Sequence, residues 1–217
     1  MTGPRNGLRA VLYDWDGTLV DSAAKSYRCY VKVFSTYGIA YDQESYRKTY
    51  TPNWYRTYEA VGLPHDRWPE ADAMWTRLYE EEPSDLLPGA RAALERFAER
   101  GMAQGLVSSG EAARVRREIV THSVAGFFGS AVVCGGETEE RKPHPEPLLL
   151  GLERLGARPE EAAYLGDSPE DVTMAKAAGV FAVGIPGGFP NREALAASAP
   201  DLLAPSLDAA LRGLLGP

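Results

Sequence analysis

From Pro88 onward the chain repeats one unit: a short apolar run that stops at small or acidic residues, then a stretch with helical spacing. Residues 103–107 stop at Ser108-Ser109-Gly110, and a helix is expected over 112–120. Residues 131–134 form the next run, and Pro145 suits the first turn of a helix whose face is Leu148, Leu152 and Leu155. Residues 162–165 end at Gly166-Asp167, a helix over 169–178 stops at Gly179, and 181–185 is the last clear run before a compositionally plain tail. Alternating strand and helix units of this kind predict an α/β, doubly wound parallel sheet with right-handed crossovers. An earlier run, residues 10–13, belongs to the same pattern and leads directly into Asp14-Trp15-Asp16-Gly17-Thr18.

Ligands of such sheets sit at the carboxyl ends of the strands, so the residues that end each run are the candidates for chemistry. If strand alternation continues, Asp14 and Asp16 lean one way and Trp15 occupies the outward-facing position. Two neighbouring acids repel unless a cation lies between them, and a hard divalent cation with oxygen ligands suits the pair. Ser108, Ser109 and Gly110 precede a helix, where hydroxyls and free amides can cradle a phosphate. Lys142 stands in Arg141-Lys142-Pro143-His144-Pro145-Glu146-Pro147, a stretch that the prolines stiffen. A fixed ammonium there can neutralise a carboxylate and a phosphoryl oxygen. His144 is assigned to capping or solvent. Asp167 leaves a strand end and Asp171 follows four residues later, so both can approach one cation, or Asp171 can orient a water or Lys142 while Asp167 binds.

Residues 21–88 read differently. They hold 13 of the 21 aromatics and show no strand pattern. Tyr27, Tyr30, Val31 and Phe34 form a helical stripe ending near Gly38, and Asp42 is placed to cap a second helix. A third is expected from Thr51-Pro52 to Val61-Gly62, and a fourth through Trp68, Met74, Trp75 and Leu78. The segment reads as a small helical bundle inserted after the first strand. Flexible joints are expected near Asp21-Ser22 and Pro88-Gly89.

The string DWDGTLVDS resembles the first motif of the haloacid dehalogenase superfamily, DxDGTLxDS, with Trp15 where Phe is usual. Ser108, KPHPEP and GDSPEDVTMAKAAG resemble its second, third and fourth motifs, in order and each at a strand end. The resemblance covers nearly the whole chain and is nearest to the phosphoglycolate phosphatase-like group. It implies a core of residues 1–20 and 88–217 with a helical cap of residues 21–87. It also implies a Mg²⁺-dependent phosphatase acting on a small phosphomonoester, phosphoglycolate-like or a sugar phosphate. Asp14 would be the nucleophile that becomes an aspartyl-phosphate, and Asp16 the general acid and base, which can also serve the metal through its carbonyl. Lys142 would neutralise charge, Ser108, Ser109, Gly110 and Thr18 would hold the phosphoryl group, and Asp14, Asp16, Asp167 and Asp171 would surround the metal. In the cap, Asn53, Trp54, Tyr55 and Arg56 are candidate selectors of the leaving group. A β-phosphoglucomutase-like phosphotransferase is the alternative, although that group tends to carry an acid where this chain has Gly166. A phospho-switch or binding module on the same fold is the alternative of a different class.

A net charge of −7, from 23 basic and 30 acidic residues, argues against nonspecific nucleic-acid binding. Cys29 and Cys134 have no metal-ligand spacing and read as small buried residues in a reducing cytoplasm. No apolar run reaches the roughly 18 residues of a membrane helix, and the polar first residues lack a signal-peptide core. The expectation is a cytoplasmic monomer or homodimer whose partner is a small phosphorylated metabolite.

Overall fold

The computed structural model describes residues 7–51 and 54–216. Its centre is a six-stranded sheet, and every pairing in it is parallel. The strands are β1 (Ala10–Tyr13), β4 (Ala103–Glu111), β5 (Val132–Gly135), β6 (Ala162–Gly166), β7 (Phe181–Gly184) and β8 (Leu202–Leu203). They lie in the order β5-β4-β1-β6-β7-β8, so β1 is central and its exit faces those of β4 and β6. This is where the chain reverses the direction in which it builds the sheet, the place such folds leave a crevice.

Alternation along β1 divides the interior in two. Val11 and Tyr13 join an apolar cluster with α5 (Ala90–Glu99), α6 (Ala112–Thr121), α7 (Ala125–Phe128) and α11 (Leu207–Leu215). Ala10 and Leu12 face the opposite cluster, built with α8 (Glu146–Leu155), α9 (Pro169–Ala177) and α10 (Arg192–Ala197). All four residues of β1 are fully buried, which explains why the strand reads as a continuous apolar run. One polar link crosses the first cluster: the Tyr13 hydroxyl donates to Gln104 Oε1 at 2.8 Å, and Gln104 Nε2 donates to the Leu94 carbonyl at 2.9 Å.

The aromatic-rich segment supplies α1 (Ala23–Thr36), α2 (Gln43–Thr49), α3 (Trp54–Ala60) and α4 (Trp68–Glu81). The Asp42 side chain caps α2, accepting from Ser45 N at 2.8 Å. These helices bury Tyr30, Phe34, Tyr41, Tyr46 and Tyr58 against one another, and Phe189 from the loop after β7 joins the same cluster. Tyr50 stacks on Phe189, with ring centroids 4.9 Å apart. The start of α3 expected at Pro52 lies outside the described residues.

Several expectations are corrected. The segment carries a strand, β3 (Asp85–Leu86), which pairs antiparallel with β2 (Val20–Asp21). Both expected joints therefore lie beside one two-stranded ribbon, because the two crossing chains satisfy each other's backbone groups. β4 does not stop at Val107 but runs through Glu111, with a shift in its pairing to β5 over the last residues. The run at 181–185 is not the last strand: β8 adds a sixth, and α10 and α11 cover the sheet. Trp15 does not face outward. It is fully buried, and its Nε1 donates to Glu118 Oε2 at 2.6 Å. No helix among the described residues is long and apolar enough to cross a membrane.

Candidate active site

Three buried carboxylates, from Asp14, Asp167 and Asp171, converge at the exits of β1 and β6, with oxygens within 4.8 Å of one another. Parallel pairing brings the first two together, because Tyr13 lies beside Leu165 in register and Asp14 N donates to the Leu165 carbonyl at 2.8 Å. Asp171 arrives through the first turn of α9. Ser168 caps that helix, and Asp171 closes a reciprocal capping box by accepting from Ser168 N at 3.1 Å and Ser168 Oγ at 2.7 Å.

Lys142 reaches into this acidic group from the loop before α8. Its Nζ donates to Asp14 Oδ1 at 2.6 Å, Asp171 Oδ1 at 2.8 Å and the Tyr164 hydroxyl at 2.7 Å. An ammonium has three donors, so all three are used. Burial pulls its pKa down, but Asp14 and then Asp171 outweigh it and hold the lysine charged. Asp171 in turn has both oxygens engaged, by Ser168 on one side and by Lys142, with the Tyr164 hydroxyl 3.2 Å away, on the other. Its observed contacts make it the residue that orients Lys142.

Asp167 differs. Its backbone carbonyl accepts from Asn191 Nδ2 at 3.1 Å, but its Oδ2 is buried without a hydrogen-bond partner among the described residues. The space around that oxygen is kept by glycines. A Cβ on Gly187 would stand 2.8 Å from it and 2.6 Å from the Gly17 carbonyl, and one on Gly17, whose φ of +81° already favours glycine, would overlap it outright. Three carboxylates against one ammonium leave two negative charges in a buried space. Burial first, then the neighbouring acids, therefore push the Asp167 carboxyl well above the usual range, and Asp14 rises to about 7 despite Lys142. The site suits a divalent cation at Asp14 and Asp167.

Asp16 is not in this group. The backbone turns after Asp14, with the Trp15 carbonyl accepting from Leu19 N at 2.9 Å and Val20 N at 3.1 Å, so strand alternation ends before it reaches residue 16. The side chain swings toward α6, where Arg114 Nη2 donates to Oδ2 at 2.6 Å and Nη1 to Oδ1 at 3.3 Å. Tyr79 from α4 donates to Oδ1 at 2.6 Å. Burial raises the Asp16 pKa, but Arg114 and the Tyr79 hydroxyl outweigh it and hold the group below the ordinary carboxylate value.

Ser108, Ser109 and Lys142 line one recess together with Gly135, Gly136 and Arg141. Ser108 does not cap the following helix. Its Oγ accepts from Gly110 N at 3.0 Å, while Glu111 caps α6 through bonds from Ala113 N and Arg114 N. Thr18 is fully buried, and its hydroxyl has no partner among the described residues. Arg56 is exposed on α3 and faces Glu170, whose carboxyl burial raises and Arg56 partly lowers. Trp54 packs tilted against Tyr55 and lies under Arg141, with 6.0 Å between guanidinium and ring; Tyr55 stacks on Trp68. Asn53 lies outside the described residues. His144 is exposed and its Nδ1 accepts from Glu146 N at 3.3 Å, a local cap.

Sequence reasoning missed Arg114, Tyr79, Tyr164 and Asn191. Tyr164 is the one with a signal, as the single polar atom in an otherwise apolar strand; the others sit in ordinary helical or loop contexts.

Residues 11–185 match the family model of the haloacid dehalogenase-like hydrolases. The chain belongs to that family. The phosphoglycolate phosphatase of Yersinia pseudotuberculosis is 31% identical over 206 residues, covering 89% of this chain and 88% of that protein. A predicted phosphoglycolate phosphatase from Haemophilus somnus superposes with a TM-score of 0.82 at 21% identity, over 95% of this chain and 98% of the other. A β-phosphoglucomutase from Clostridium difficile does so with a TM-score of 0.70 at 21% identity, over 82% and 84% of the two chains. At these identities the two structures speak for the fold.

Proposed function

We propose that this hydrolase is a Mg²⁺-dependent phosphatase of a small phosphomonoester, with phosphoglycolate the first substrate to test. The observation that carries the proposal is the Asp14–Lys142–Asp171 chain beside an unpartnered Asp167 oxygen: one carboxylate held by an ammonium, another left for a cation. The likeness to phosphoglycolate phosphatases over most of the chain supports the substrate class.

An Asp14 carboxylate oxygen forms a bond to phosphorus in line with the ester oxygen, and the ester P–O bond breaks. Asp16, which must leave Arg114 and take up a proton to act, gives that proton to the leaving oxygen; it later takes a proton from the water that cleaves the aspartyl-phosphate, so alcohol and inorganic phosphate leave and the enzyme is restored. Lys142 spreads charge from Asp14 and the phosphoryl oxygens, while Ser108 and Ser109 hold the same oxygens from the other side of the recess. Asp171 and Tyr164 keep the ammonium in place. Asp14 and Asp167, with the Asp16 carbonyl, would hold the metal, which when bound offsets the negative charge of nucleophile and phosphate. The four helices act as a cap over residues 21–87 that excludes water from the intermediate. The enzyme is read as cytoplasmic.

Gly166 favours a phosphatase over a mutase, because any side chain there would overlap that of Asp171. The test is phosphate release from a panel of phosphomonoesters, with and without Mg²⁺, beside Asp14→Asn. Turnover that needs both Mg²⁺ and Asp14 is expected. Release that survives Asp14→Asn would overturn the assignment, and interconversion of sugar phosphates without phosphate release would favour the mutase.

A further inference from the structure

Lys142 is asked for more hydrogen bonds than it can make. Its N–H groups go to Asp14 Oδ1 at 2.6 Å, Asp171 Oδ1 at 2.8 Å and the Tyr164 hydroxyl at 2.7 Å. An ammonium has no further donor. Yet Lys142 also lines the recess that Ser108 and Ser109 share with it, and neutralising a phosphoryl oxygen there takes one of the same N–H groups. One of its protein partners must yield.

The partners differ in what they lose. Asp14 and Asp171 are buried carboxylates, and a buried charge left without its counter-ion is costly. Tyr164 is neutral. It is 1% exposed, and its single proton has two acceptors in reach, the Val107 carbonyl at 2.9 Å and Asp171 Oδ1 at 3.2 Å. The hydroxyl therefore keeps a hydrogen bond with or without the ammonium. Its ring also stays beside the lysine, with Nζ 5.3 Å from the centre, so the cation retains a favourable neighbour when the hydroxyl contact goes. Strand order gives Tyr164 a second hold on the recess. Its strand, β6, neighbours β1 and not β4, so the side chain passes across β1 to reach the Val107 carbonyl, one residue before Ser108. One hydroxyl thus touches both the ammonium and the strand end that carries the seryl groups.

We infer that Tyr164 is a positioning residue that acts through Lys142: its hydroxyl holds one N–H of the ammonium and yields it to a phosphoryl oxygen of substrate or product. The exchange trades one hydrogen bond for another, so Tyr164 weakens the hold on phosphate by the value of the bond given up. Ester and inorganic phosphate are affected alike, so the gain lies in release of the product and not in the bond-breaking step. This rests on the phosphatase reading above and adds to it the group that keeps phosphate from binding too tightly.

The experiment measures the affinity for inorganic phosphate by calorimetry, with Mg²⁺ present, in the wild type and Tyr164→Phe, beside KM for the ester that turns over best. Phenylalanine keeps the ring and leaves the yielded N–H without an acceptor in the free enzyme. Phosphate is therefore expected to bind the variant about tenfold tighter, the span of one hydrogen bond to a charged group, and KM should fall with it. Phosphate should also raise the Tm of the variant more than that of the wild type. A merely structural role would loosen the ammonium and weaken phosphate binding; that result, an unchanged affinity, or phosphate that binds neither protein overturns the inference. A crystal structure of the wild type with Mg²⁺ and phosphate decides the matter without the variant. Lys142 Nζ is expected within hydrogen-bond distance of a phosphate oxygen, Asp14 and Asp171, and beyond it from the Tyr164 hydroxyl. An Nζ that keeps Tyr164 at 2.7 Å overturns the proposal. If no ester is hydrolysed in an Asp14-dependent way, the phosphatase reading fails, and the phosphate titration and the crystal structure still decide the role of Tyr164.

Discussion

Asp167→Asn should stabilise the metal-free protein at alkaline pH and destroy its response to Mg²⁺. Oxygens of Asp14, Asp167 and Asp171 lie within 4.8 Å of one another. At that separation and an effective dielectric of about 20, two ionised carboxylates repel by roughly 3.5 kcal/mol. Relaxation and entering water reduce this, and the expected gain for Asp167→Asn at pH 8.5 in chelator is about 2 kcal/mol, or ~4–8 °C in Tm for a chain of this size. The pH dependence follows from the direction of the shifts. Burial, only partly opposed by Lys142, raises Asp14 to about 7, and burial with Asp14 as neighbour raises Asp167 well above its ordinary value. A raised carboxyl contributes stability fully below its unfolded pKa, near 4, and that contribution is lost as pH rises through the folded value. At pH 5.5 the advantage of the variant should therefore shrink. Saturating Mg²⁺, at about 100 times its dissociation constant, would stabilise the wild type by ~2.7 kcal/mol and leave the variant nearly unmoved. Thermal unfolding followed by circular dichroism at both pH values, with chelator or Mg²⁺, measures all four quantities. If Asp167→Asn melts at or below the wild type at pH 8.5 in chelator, or keeps the Mg²⁺ shift, the electrostatic account of this pocket is wrong.

Lys142→Met should cut kcat at least ~10³-fold in a phosphate-release assay, because the nucleophile and the phosphoryl group lose their fixed positive charge. Gln104→Leu should cost about 1–3 kcal/mol in urea unfolding with turnover preserved, since it strands the buried Tyr13 hydroxyl and the Leu94 carbonyl, which bond to Gln104 and to none of the site's carboxylates. Trp15→Phe, which installs the residue usual in the family's first motif, should cost about 1 kcal/mol by the same measurement, through loss of the indole bond to Glu118.

The parallel sheet was legible because its strands are short apolar runs buried on both faces and its helices carry clear stops. Strand β8 was not: two residues carry no periodicity, and Leu202 and Leu203 become a strand only because β7 offers a free edge. The ribbon of β2 and β3 escaped notice for the same reason. At the site, Asp14, Asp167 and Asp171 could be picked out because each stands at a strand end or helix start, where local geometry determines the direction of the side chain, and Lys142 because prolines stiffen the loop that carries it. Asp16 was misplaced because alternation was carried past Tyr13 into a turn.

Sequence alone therefore determined the class of fold, the end of the sheet at which chemistry sits, and the acids and lysine that meet there, since period, caps and strand ends are local properties. Only the tertiary structure decided what each charge faces. Arg114 lies 98 residues from Asp16 and Tyr79 lies 63 from it, and no spacing announces either contact. Which carboxylate is left for a cation and which is taken by an arginine is an outcome of packing, because in a buried pocket the nearest opposite charge decides, and nearness there is unrelated to distance along the chain.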